Sequence, residues 1–306
     1  MSIKITFLGT AGSVPTPERS LPAVAIQRKD ELILLDCGEG VQRQIIKAKL
    51  GLHKKTKIFI THMHGDHILG LPGLIQTMTL MDRKRKLQVY GPKGIQAFIK
   101  AIENTVQFTL TFPIEIQEIK QKGIVCEEKE YEVRTIPTKH VIPSFAYTLE
   151  EKPRPGKFYP EKALQKGVPE GPLWSELQSG KSVILQNGSL VRPEEVMGPK
   201  RSGRKIVYTG DTKPFKALIE FAKEADLLIH DSTFDDKLGE KAKDDGHSTP
   251  SQAAKIAKKA NVRQLVLTHI SARYKDVTIL LEQAKKIFPN VLVAEDLMEI
   301  NLPLLP

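Results

Sequence analysis

Cysteine is nearly missing from the 306 residues: only Cys37 and Cys126 occur, and they form no CxxC pair. A disulfide framework and a thiolate metal site are excluded, so any metal falls to histidine and carboxylate. Both cysteines read as small buried apolar residues. No apolar run approaches the ~20 residues that a bilayer-spanning helix needs, so no membrane partner is expected. The N-terminal stretch lacks a signal-peptide core and cleavage site, which makes the cytoplasm the expected location. Fixed-period repeats and low-complexity tracts are also lacking. What remains is globular composition, 40% hydrophobic and 27% charged, in a chain long enough to bury a full core unaided. Lys and Arg total 46 against 36 Asp and Glu, a net charge of +10, and that balance favours anionic partners.

Short β runs alternate with helical patterns over the first 150 residues. Strands are expected at 3–8, 23–27, 32–36, 57–61, 87–90, 114–119, 132–138 and 144–149, and helices at 39–50, 68–81 and 95–106. The texture changes at Glu150. Pro153, Pro155, Pro160, Pro169, Pro172, Pro193 and Pro199 follow, among many glycines. Such a stretch is too long for a passive loop, so residues 150–200 read as an arm inserted into one domain spanning 1–306. The α/β pattern then resumes, with strands at 205–209, 227–231, 264–268 and 291–294 and helices at 214–222, 249–260 and 277–288. Strands cluster without steady βαβ alternation, which argues against a simple doubly wound sheet.

The strongest chemical signal is Thr61-His62-Met63-His64-Gly65-Asp66-His67. Spacing of i, i+2 on extended chain puts His62 and His64 on one side, with Asp66 and His67 facing a second point nearby. Imidazole and carboxylate suit zinc. Four ligand-type residues in one turn imply two metals completed from elsewhere, and His140, Asp211 and His269 each follow an expected strand, where α/β proteins build sites.

These residues resemble the metallo-β-lactamase superfamily, whose HxHxDH cluster is joined by a distant His, a strand-end Asp and a late His. Three further features are similar to its ribonuclease Z branch, the tRNA 3′-processing endoribonucleases. They are Gly167-Val168-Pro169-Glu170-Gly171-Pro172 in the arm, His247-Ser248-Thr249, and the segment from Thr268 to Tyr274. The resemblance implies an α/β fold, an αββα sandwich of two mixed sheets flanked by helices, with an inserted flexible arm. It implies two zinc ions per chain, one on His62, His64 and His140, the other on Asp66, His67 and His269, with Asp211 bridging. It further implies precursor tRNA as partner, hydrolysis leaving a 3′-hydroxyl on the tRNA and a 5′-phosphate on the trailer, and a homodimer. A small-molecule phosphodiesterase or thioester hydrolase of the same fold is the alternative.

Zinc ions ~3.5–4 Å apart can clamp a phosphodiester and activate water. Asp66 is placed to orient or deprotonate that water. His247 is the candidate general acid, since imidazole titrates near neutrality. Ser248 and Thr249 read as the cap of a helix starting near Pro250. Arg273 is a candidate for binding phosphate, and Arg19 sits in an early loop that could border the site. His53 reads as solvated and His230 as strand-end structure. In the arm, Gly167, Pro169, Gly171 and Pro172 are candidate substrate contacts, and residues 150–205 carry a net charge of +4. Trp174 is expected to pack the arm's own core. A run of Lys47, Lys49, Lys54, Lys55 and Lys57 could guide RNA.

Overall fold

Side-chain alternation along the strands decides the layers. In Glu31–Leu35, Ile33 and Leu35 enter one apolar cluster while Leu32 and Leu34 enter another. In Leu227–Asp231, Leu227 and Ile229 share the first cluster and Leu228 belongs to a third. Strands apolar on both faces must be covered on both faces. The computed structural model, which describes residues 2–304, meets that requirement with two sheets face to face and helices outside each.

Among the described residues each sheet has seven strands. The first runs, in spatial order, Glu299–Leu302, Ile3–Gly9, Ala23–Arg28, Glu31–Leu35, Lys55–Phe59, Leu87–Pro92 and Ile114–Ile119. Its last four strands pair in parallel. The second runs Val291–Val293, Gln264–Thr268, Leu227–Asp231, Lys205–Tyr208, Phe145–Glu151, Tyr131–Pro137 and Gly123–Glu127, parallel through its first four. Phe7, Phe59 and Tyr90 of one sheet meet Tyr131, Tyr147 and Tyr208 of the other in the central cluster. Helices Val41–Lys47, Gly70–Leu80 and Ile95–Thr105 cover the first sheet. Lys216–Phe221, Pro250–Lys259 and Thr278–Lys285 cover the second. This is the αββα sandwich of mixed sheets expected from the sequence. No helix among the described residues is long and apolar enough to cross a membrane.

The chain divides into two compact units, one formed by the chain through Glu150 and from Arg204 to Pro303, the other by Glu151–Gly203. The second unit has regular structure of its own. Helices Pro160–Gln165, Pro172–Gln178 and Pro193–Val196 accompany a small hairpin, Val183–Ile184 with Leu190–Val191. Ala163, Val168, Leu177, Val183, Val191 and Val196 form its core. Trp174 packs against that core, with its ring 5.3 Å from Phe158 and its indole N–H donating to Val168 O at 3.2 Å. Each of its helices starts on a proline, which has no N–H to leave unpaired there.

Candidate metal centre

Every expected ligand sits just beyond a strand: His62, His64, His140, Asp211 and His269 on non-helical chain, Asp66 and His67 in the single helical turn Gly65–Ile68. His62 to His67 follow Lys55–Phe59 in the first sheet. His140, Asp211 and His269 follow Tyr131–Pro137, Lys205–Tyr208 and Gln264–Thr268 in the second. His269 holds a φ of 60°, an uncommon left-handed conformation for a residue other than glycine. Gly12 lies against it, and a Cβ there would meet His269 Nδ1 at 2.9 Å.

The side chains converge in two triads. His62 Nε2 lies 3.1 Å from His64 Nδ1, which is 3.2 Å from His140 Nε2. Asp66 Oδ2 lies 3.5 Å from both His67 Nε2 and His269 Nε2. Asp211 Oδ2 stands between the triads, 3.6 Å from His62 Nε2, 3.4 Å from His67 Nε2, 3.3 Å from His269 Nε2 and 4.0 Å from His140 Nε2. Tetrahedral ligands at zinc distances are about 3.3 Å apart, so these spacings fit a cation in each triad. Two buried atoms, His67 Nε2 and Asp211 Oδ1, have no hydrogen-bond partner among the described residues. Orphaned buried polar atoms are costly unless something else satisfies them, and a metal ion held by these residues would do so.

The outer nitrogens are fixed by partners behind them. His62 Nδ1–H donates to Thr61 Oγ1 at 2.9 Å, and that hydroxyl donates to Asp36. His67 Nδ1–H donates to Asp36 Oδ2 at 2.7 Å. His269 Nδ1–H donates to Thr233 Oγ1 at 2.8 Å, which donates in turn to Asp231 Oδ1. His140 Nδ1–H donates to Gly246 O at 2.9 Å. Such partners set the tautomer and aim the other nitrogen at the metal. Asp36 and Asp231 are fully buried, and the sequence reading missed both. Each ends a strand, a position that had already flagged Asp211, but neither stands in a dense motif.

Asp36 also accepts from Tyr208 O–H at 2.9 Å and Thr61 N–H at 2.7 Å, tying the two sheets beneath the site. Asp231 Oδ2 accepts from His247 Nδ1–H at 3.0 Å and from Ser248 N–H at 3.2 Å. His247 lies beside the triads, its ring stacked 5.1 Å from that of His269.

Burial, aided by the charge of His67, pushes His62 down to about 2, and burial also lowers His64 and His140. All three therefore present neutral nitrogens, the form a metal takes. Burial opposes ionisation of Asp66 and Asp211, but the surrounding imidazoles override it and hold both well below the usual carboxylate range. At His247 burial lowers and Asp231 raises, and the carboxylate wins, leaving it at about 9.

Of the other expectations some are corrected, while His53 is solvated and His230 belongs to a strand end as expected. Thr249, not Ser248, caps helix Pro250–Lys259, through a capping box with Gln252. Ser248 Oγ instead donates to Thr212 O at 2.6 Å. Arg19 binds Thr10 and Ala294 O, which makes it a brace for its loop. Two members of the lysine run are engaged elsewhere: Lys57 is buried on Tyr131 O–H, Glu31 and Glu128, and Lys55 pairs with the same two glutamates, while Lys47 and Lys49 are exposed. His53 is exposed and His230 buried, its Nδ1–H donating to Asp231 O. Arg273 is exposed, and Gly167, Pro169, Gly171 and Pro172 are exposed on the second unit.

Known proteins resemble this chain in sequence and in fold. A family profile described as anti-Pycsar protein Apyc1 matches residues 3–153, and one described as beta-lactamase superfamily domain matches residues 193–270. A ribonuclease Z of Methanosarcina acetivorans is 51% identical over 305 residues, which is 99% of this chain and 99% of that protein. The crystal structure of human tRNase Z, short form, superposes with a TM-score of 0.73 at 31% identity, covering 98% of this chain and 99% of that one. The metallo-β-lactamase fold protein YhfI of Bacillus subtilis superposes with a TM-score of 0.70 at 19% identity, over 98% of this chain and 99% of that one, a likeness of fold alone. The αββα sandwich is the metallo-β-lactamase fold.

Proposed function

This chain belongs to the ribonuclease Z family, and from that membership we propose that it is a dinuclear zinc endoribonuclease removing the 3′ trailer from precursor tRNA. The observation that carries the reading is the Asp211 carboxylate, whose Oδ2 lies within 3.6 Å of nitrogens from both triads. His62, His64 and His140 would hold one zinc, Asp66, His67 and His269 the other, and Asp211 both. Bound there, the ions would supply charge stabilisation to the phosphodiester and acidity to water.

The rest of the chemistry falls to side chains. Asp66, ionised and fixed by Ser13 N–H on Oδ2 at 3.0 Å, would orient the attacking water. His247 has its Nδ1–H on Asp231, which stabilises the imidazolium and aims Nε2–H away from that carboxylate. That proton would go to the departing 3′-oxygen, giving a 3′-hydroxyl on the tRNA and a 5′-phosphate on the trailer. Arg273 would neutralise phosphate charge at the rim. The second unit, with Gly167, Pro169, Gly171 and Pro172 on its surface, would grip folded tRNA by shape and phosphate. A cytoplasmic homodimer completes the proposal.

The test is incubation of purified, zinc-loaded protein with trailer-bearing precursor tRNA, followed by sizing and end analysis of the products. The expected result is tRNA ending in a 3′-hydroxyl. An intact precursor alongside rapid hydrolysis of a small phosphodiester would replace this reading with a small-molecule phosphodiesterase.

A further inference from the structure

Arg273 is exposed, yet its guanidinium is not loose. Its Cζ lies 4.8 Å from the centre of the Phe234 ring, within cation–π range. Its Nε donates to Ser271 Oγ at 3.1 Å, and no ion pair among the described residues uses its two terminal nitrogens. Phe234 is itself only 5% exposed. One neighbour is His247, whose ring is T-shaped to it at 6.0 Å and 76°. Another is Lys241, whose ammonium lies 5.4 Å from the ring centre while pairing with Asp245 at 2.8 Å. The segments on either side are latched together. Asp235 N–H donates to Tyr274 Oη at 2.8 Å, and Ser271 N–H to Thr233 O at 3.3 Å.

An exposed arginine ordinarily samples many rotamers, and ordering it at the moment of reaction carries an entropic cost. Here an aromatic face and one hydroxyl restrict those rotamers in advance, and the ring that carries the guanidinium also packs against His247. We propose that Phe234 is a positioning residue: its ring holds the Arg273 guanidinium next to His247, ready for the phosphate whose leaving oxygen His247 protonates. The inference rests on the phosphodiesterase reading above. Leucine fills similar volume but offers no π face, so Phe234→Leu isolates the contact.

The experiment is a double-mutant cycle on single-turnover cleavage of precursor tRNA, with zinc content and melting temperature measured for every variant. Arg273→Ala is expected to slow cleavage on the order of 10²-fold. Phe234→Leu should slow it by roughly 2–30-fold, the size of a cation–π contact, with zinc content unchanged and Phe234→Tyr restoring the rate. In the Arg273→Ala background Phe234→Leu should add nothing. Multiplicative effects of the two substitutions, or a Phe234→Leu rate equal to that of the intact chain, would overturn the proposal. If the intact chain does not cut precursor tRNA, the functional reading fails by itself, and nitrogen-15 NMR of the full chain still decides the platform. The Arg273 Nε–H signal should be ring-shifted and ordered in the intact protein and lose both properties in Phe234→Leu. An identical signal in the two proteins overturns it.

Discussion

Deleting a carboxylate shared by two triads is a larger perturbation than deleting an imidazole used by one. Asp211→Ala should therefore lose both zinc ions and His140→Ala mainly one, and metal analysis finding two ions in Asp211→Ala would remove the bridge. Asp36 tests the support beneath. Its carboxylate accepts from His67, Thr61 and Tyr208, so Asp36→Ala strands buried donors. The expected costs are about 3 kcal/mol of stability and a 10–100-fold weaker metal site, read by denaturant unfolding and competition with a chelator. His247 gives a pH signature in the metal-free protein. Its folded value of about 9 lies above the ordinary ~6.5. The Asp231 contact thus stabilises fully below about pH 6.5 and is lost as pH rises through about 9. Unfolding of chelator-treated protein should show that decline, and His247→Gln should flatten it. The proposed ligands were legible because histidines at i, i+2 and i+5 are rare by chance. Asp36 was not, because its meaning lies in Tyr208, 172 residues away.

Among the elements, helix Pro250–Lys259 links local sequence to the site most directly. Thr249 Oγ1 accepts from Gln252 N–H while the Gln252 side chain accepts from Thr249 N–H. That box fixes the chain immediately after His247. Thr249→Ala should cost about 1 kcal/mol and slow cleavage through a displaced His247 without loss of zinc, as unfolding and single-turnover rates would report. The helix was readable from Ser-Thr-Pro, but which hydroxyl caps it was not, because Ser248 is claimed by Thr212 O, a tertiary partner. Strand Gly123–Glu127 escaped the sequence reading because it is mostly exposed, with only Cys126 buried. Helix Gly239–Asp245 escaped likewise: Ala242 is its single buried residue, so no apolar stripe marks it. The helices and hairpin of Glu151–Gly203 were hidden under a proline-rich texture that reads as loop, although several of those prolines start helices.

At the scale of the whole molecule, the proposed function would divide chemistry from grip along the boundary between the two units. None of the proposed ligands lies in Glu151–Gly203. Replacing residues 152–203 with a short linker should leave zinc content and hydrolysis of a small phosphodiester intact, while precursor tRNA cleavage collapses. Lys and Arg contacts release counterions on binding, so the shortened protein should also show a shallower fall of tRNA affinity with salt. Equal tRNA cleavage by both proteins would deny the unit an RNA-binding role. The donor set of the first unit has a further consequence. Each triad takes two side chains from the turn after Lys55–Phe59 in one sheet and one from the opposite sheet. Neither sheet alone can close a coordination sphere, so each ion would act as a rivet through the sandwich. An ion could then escape only when that edge of the sandwich parts, and its residence time would be set by how often the protein breathes there.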